Sequence, residues 1–210
     1  MDNISDAPPD RASSIIDNRG KALKTILSTL IVLVVLIVAG GVLFIYSGAY
    51  DVAASSPDSA FTRWLFATTR EHSIESRADD VVPPPDSVLN DPQTLLSGFA
   101  HYNEMCVVCH GAPGVEPGEA RAGLNPKPPL LAEVADKIPT REMFWVIKHG
   151  INMTGMPAWG PTHDDNKIWA MVAFAKTLPS LSAAQYQAMQ RKAEATEDEH
   201  EDEHEHSHMH

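Results

Sequence analysis

Cys106-Val107-Val108-Cys109-His110 contains both cysteines of the 210-residue chain. Residues three apart on a helix share a face. Two thiols so placed can add to the two vinyl groups on one side of a porphyrin, and the imidazole of the next residue then lies under the iron. C-x-x-C-H is the attachment spacing for c-type haem. A cysteine pair can also be a disulfide or half of a zinc site. Zinc needs two more ligands at motif spacing, and the segment around the pair offers none. Two thiols cannot frame a disulfide-rich fold. The spacing therefore predicts one haem, covalently bound through Cys106 and Cys109, with His110 as an axial ligand.

A second axial ligand is sought downstream. Met156-Pro157-Ala158-Trp159-Gly160 lies 46 residues after His110. Pro157 pushes the residue before it toward extended backbone, which suits a loop presenting Met156. A thioether favours ferrous iron, so a His/Met pair raises the reduction potential. Met153, His149 and His163 compete for the position. The expectation is that Met153 packs near the haem edge, and that the two histidines lie on the surface or meet a propionate.

The elements that position these residues read as helices. Asp91 is a candidate N-cap, with Pro92 in the first helical position, and apolar residues continue through Leu95, Leu96, Phe99, Tyr102 and Met105 to Cys106. Arg141–His149 is a second helix. Asp164–Leu178 is a third, with Ile168, Trp169, Met171, Val172 and Phe174 on its apolar stripe, stopped by Pro179. Ser182–Lys192 is a candidate fourth. No strand alternation or repeat stands out. An all-α domain over residues 91–185 is small for a purely side-chain core, and a buried haem would add to it.

Residues 91–180 resemble a class I bacterial cytochrome c. Gly98 and Tyr102, eight and four residues before Cys106, are similar to the Gly and aromatic pair on that family's first helix. Trp169 resembles the aromatic of its last helix, which crosses the first at the glycine. A missing side chain at Gly98 permits that approach. Pro126-Lys127-Pro128-Pro129-Leu130 resembles the loop whose proline carbonyl accepts the proximal histidine N–H, which makes Pro128 and Pro129 the candidates. Met153, Trp159 and Tyr102 are further candidates around the ligands. The resemblance implies a class I cytochrome c fold and a single electron-carrying haem c, with no catalytic residue. The implied partners are a quinol-oxidising complex or periplasmic dehydrogenase as donor and a terminal oxidase as acceptor.

The rest of the chain lies outside the resemblance. Residues 25–47 are a candidate transmembrane anchor: Thr25 to Tyr46 run without a charge, long enough for a ~30 Å hydrocarbon core and too long for a signal-peptide core. Arg11, Arg19, Lys21 and Lys24 precede the run, and no Lys or Arg follows until Arg63. The positive-inside rule then puts residues 1–24 in the cytoplasm and the haem domain in the periplasm, on a single-pass inner-membrane protein. Residues 48–90 read as a connector. Within it, Ser59–Arg77 form an amphipathic helix that either packs on the haem domain or meets a partner or membrane. Val81-Val82-Pro83-Pro84-Pro85 is a stiff boundary.

Net charge is −12, and seven of the acids lie in the tail between Glu197 and Glu205. Residues 91–192 carry nine acids and nine bases. Without a basic surface, nucleic acid is excluded as a partner class. Residues 186–210 are expected to be a helix end and a disordered acidic tail. There, His200, His204, His206, His208 and His210 alternate with carboxylates, a candidate site for a divalent transition metal. The functional expectation is a membrane-tethered electron carrier. Alternatives are a fixed subunit of a larger oxidoreductase, a haem enzyme or sensor with a labile sixth ligand, and a metal-handling protein acting through the tail.

Overall fold

In the computed structural model of the chain, residues 11–193 are described, with their side chains from residue 18 on. The tail histidines His200, His204, His206, His208 and His210 lie outside the described residues. The chain divides into two compact units, one up to Ala53 and one from Ala54 on. The first holds α1, Arg11–Tyr46, which begins fourteen residues before the uncharged run. Within it, Asn18–Tyr46 is long and apolar enough to cross a membrane, a test that a signal sequence also passes. Its Leu33, Val35 and Ile37 are 52, 58 and 65% exposed.

The second unit is all-α. Among the described residues it has no strand, only an isolated bridge between Ala112 and Val115. Its helices are α2 (Ala60–Ala78), α3 (Asp86–Leu89), α4 (Pro92–His101), α5 (Val107–His110), α6 (Leu131–Val134), α7 (Thr140–His149), α8 (Asp165–Thr177) and α9 (residues 183–193). A π-helical turn, Tyr102–Cys106, joins α4 to α5.

The helix starts follow from local side-chain chemistry. Asp91 accepts from the N–H groups of Gln93 and Thr94, with Pro92 behind it. Asp164 accepts from Lys167 N–H, and Ser59 from Thr62 N–H. Ser182 and Gln185 form a reciprocal capping box that opens α9. Each bond satisfies an N–H that a helix start otherwise leaves unpaired.

The core forms where α4 crosses α8. A Cβ at Gly98 would stand 2.0 Å from the Ala170 carbonyl oxygen and 2.8 Å from Phe174 Cβ. The crossing falls at the expected glycine, but the ring seated against α4 is that of Phe174. It meets Phe99 edge-on, at a centroid distance of 5.4 Å, and lies against Tyr102. Trp169, expected at this crossing, stacks instead on Phe144 of α7, 4.0 Å between centroids. Trp169 lies one residue before Ala170, about 100° round the helix, which turns its ring toward α7.

Two segments assigned outside the domain are packed on it. α2 lies along α7, with Ala78 fully buried and Asp79 paired to Arg141 at 3.0 Å. α9 brings Tyr186, fully buried, into the aromatic core beside Phe99. The Tyr186 hydroxyl and the Gln190 amide both donate to Asn103 Oδ1. Burial pushes the Tyr186 phenol up to about 12.

Gly98→Ala should destabilise the folded domain by about 1–3 kcal/mol, because the new methyl meets backbone that has no rotamer to yield. Denaturant unfolding should show a lower midpoint at an unchanged slope.

Candidate haem site

The site starts at the end of α4. The π-helical turn closes with Val107 N–H on the Tyr102 carbonyl, which inserts an extra residue into the turn. Cys106 ends that turn, and α5 carries Cys109 three residues on. Gly111, at φ +64°, lets the chain reverse after His110. The reversal is held by two Ala112–Val115 backbone bonds of 2.9 Å each, and by Gly118 N–H on the Val108 carbonyl. The buried Tyr102 hydroxyl donates to the Gly111 carbonyl at 2.6 Å. Burial raises that phenol, so it stays a donor at every working pH. Burial, and then the neighbouring Cys109, push the Cys106 thiol up to about 12.

His110 is oriented from the other side. Its Nδ1 lies 2.9 Å from the Pro129 carbonyl. A carbonyl only accepts, so Nδ1 carries the proton and Nε2 keeps its lone pair for a metal. Of the two candidate prolines, Pro129 holds this position. The Pro128 carbonyl accepts instead from Arg121 Nε at 3.1 Å, because successive carbonyls of an extended segment point opposite ways. Burial is the largest influence on the His110 pKa and lowers it. The Pro129 bond opposes this, and Arg121 adds to it. The net effect is a neutral imidazole, the form that ligates.

Met156 sits on a loop sewn to the end of α7. Trp159 N–H donates to the Ile147 carbonyl and Gly160 N–H to that of Lys148. Ile151 N–H donates to the Met156 carbonyl. Met156 N–H donates to Thr154 Oγ1, whose own hydroxyl donates to the Ile151 carbonyl. Gly150, at φ +66°, lets the 156–158 backbone pass close by: a Cβ there would lie 2.7 Å from Ala158 N.

His110 and Met156 line one cavity of about 420 Å³, within the usual range for small-ligand sites. Its walls are mostly apolar, with Ile74, Leu131, Ile138, Met143 and Ile147 among them, and Arg70 and Lys127 bring positive charge. The cavity fits a haem. It has an imidazole donor and a thioether donor on its lining, two thiols one and four residues before the imidazole in the chain, and cations suited to propionates.

The remaining candidates fall elsewhere. Met153, expected at the haem edge, is 89% exposed at φ +57° and does not line the cavity. The tight turn at residues 151–154 points it outward, with its N–H on Asn152 Oδ1. Trp159 packs on the core and meets His163 edge-on at 5.6 Å. His149 is exposed at the end of α7, near Trp145. Neither His149 nor His163 lines the cavity. Arg121, Thr154 and Arg70 were not singled out from sequence, and Ile74 was read only as part of the amphipathic helix. For Thr154 a local signal existed, a hydroxyl two residues before the N–H it accepts. The other three depend on contacts distant in the chain.

Residues 93–174 match the family described as cytochrome C oxidase, cbb3-type, subunit III. These residues form a cytochrome c domain, with the cytochrome c fold and the covalent haem and electron-transfer chemistry that this family implies. No curated protein matches the chain.

Tyr102→Phe should leave the Gly111 carbonyl without its buried donor, at a cost of about 1–3 kcal/mol. Thermal unfolding of the haem-loaded protein should register the loss, with the visible spectrum unchanged at low temperature.

Proposed function

We propose that the chain is a membrane-tethered, single-haem electron carrier working on the outer face of a bacterial inner membrane. Haem is attached through Cys106 and Cys109, and His110 and Met156 are its axial ligands. The observation that carries this reading is the shared cavity of His110 and Met156, with Nδ1 of His110 already committed to the Pro129 carbonyl. Bound haem supplies a one-electron ferric–ferrous couple. The residues of the chain do the rest. His110 keeps its lone pair available, and the Thr154–Ile151 bonds hold the Met156 loop in one conformation. The apolar walls exclude water, which with the thioether favours a high potential. With His110 and Met156 both holding the iron, bound haem would have no open position for a substrate, and transfer would be outer-sphere.

Two features support tethering: the exposed apolar length of α1, and the basic residues that precede it without a counterpart before Arg63. A tether confines the haem near membrane-bound partners and raises its effective concentration there. Fitting partners are a quinol-oxidising complex or dehydrogenase as donor and a terminal oxidase as acceptor. A second reading, a fixed subunit of such an oxidase, is favoured by the description of the matching family.

Met156→Ala should lower the reduction potential and let carbon monoxide bind the ferrous protein rapidly. An unchanged potential with no carbon monoxide binding would move the ligand to another residue. Purification in mild detergent separates the two readings: a carrier elutes alone, and a subunit brings a stoichiometric partner.

A further inference from the structure

The helix α2 packs on the domain through Ala67, Arg70, Ile74 and Ala78, which are buried or half-buried. Its opposite stripe runs Phe61, Trp64, Leu65, Thr68, His72, Glu75 at helical spacing. This stripe changes character halfway. Phe61, Trp64 and Leu65 are 67, 60 and 42% exposed. Phe61 and Trp64 lie ring against ring, 5.9 Å between centroids. Beyond Thr68 the stripe is polar, with His72 and Glu75 paired at 3.5 Å. The apolar surface is thus confined to the first two turns. Three large apolar side chains in water on one face at the end of a helix are costly, and such a patch marks a contact surface.

The chain's connectivity says which surface. Only residues 47–59 separate the end of α1 from the start of α2, and thirteen residues reach at most about 45 Å when fully extended. The apolar end of α2 is the end nearest the span along the chain, so the linker caps its distance from the end of the span at that length. Its composition, Trp and Phe with Leu, is that of side chains settling at the headgroup–acyl boundary. We propose that the first two turns of α2 are a second membrane contact, with Phe61, Trp64 and Leu65 dipping into the lipid interface while His72 and Glu75 stay in water. The cytochrome domain, held by α2, then keeps a restricted orientation over the membrane. This inference rests on the reading of α1 as a membrane anchor.

The test uses the full haem-loaded chain in nanodiscs of phosphatidylcholine and phosphatidylglycerol, spin-labelled singly through Leu65→Cys, His72→Cys or Val35→Cys. The parent chain, its own cysteines taken by haem, is the unlabelled control. Collisions with oxygen report lipid, and collisions with a water-soluble nickel chelate report water. The expected result is that the label at 65 favours oxygen several-fold over the nickel chelate, as at 35, while the label at 72 shows the reverse. Adding Phe61→Ser and Trp64→Ser should return the label at 65 to water. A label at 65 as open to nickel as that at 72, with 35 in lipid, overturns the inference and leaves the anchor standing. A label at 65 shielded from both reagents also overturns it, assigning the patch to another protein or a second copy. A label at 35 open to nickel would instead sink the anchor itself.

Discussion

The separation of α4 and α8 is set at one point, where Gly98 faces the Ala170 carbonyl with no room for a methyl group. Backbone contact of this kind cannot relax as a side chain can. The position of α4 governs everything C-terminal to it, because the chain runs on without a break through the π-helical turn into α5 and the C-x-x-C-H motif. Phe174 seals the crossing from α8, between Phe99 and Tyr102. Tyr102 in turn donates to the carbonyl directly after His110. A packing constraint near the start of the domain is thereby passed along to His110.

The two proposed iron ligands are positioned differently. His110 is held by a hydrogen bond from its own ring to Pro129, and its neutral form is favoured by burial and by Arg121. Met156 has no polar group to grip, so the chain fixes its backbone instead. Trp159 and Gly160 bind the end of α7, and Thr154 bridges Ile151 and Met156. An apolar thioether can be positioned only in this indirect way, through the loop on which it rides.

What was legible in the sequence was mostly local. Asp91 with Pro92, and Asp164, announce helix starts because their bonds reach only two or three residues ahead. The C-x-x-C-H spacing needs one helical turn. Gly98 was legible through resemblance to the cytochromes c. The choice between Pro128 and Pro129 was not, since it depends on which carbonyl of the loop faces the ring. Met153 and Met156 are three residues apart in one loop, and only the bonds around Thr154 show that one turns outward and the other in. The packing of Tyr186 escaped for the same reason, and for α2 the sequence left packing on the haem domain and contact with a partner or membrane both open. Their partners, Arg141 for Asp79 and Asn103 for Tyr186, are distant in the chain, and an amphipathic stripe does not name what it covers.

The most direct test of this account is the absorption spectrum of the purified ferric chain, together with its intact mass. A cytochrome with His110 and Met156 on the iron should carry the mass of one covalently bound haem. It should also show a low-spin spectrum with the weak long-wavelength band of thioether-ligated ferric haem. A high-spin ferric spectrum, or a low-spin one lacking that band, would contradict the assignment of Met156. A chain without the added haem mass would contradict the site as a whole.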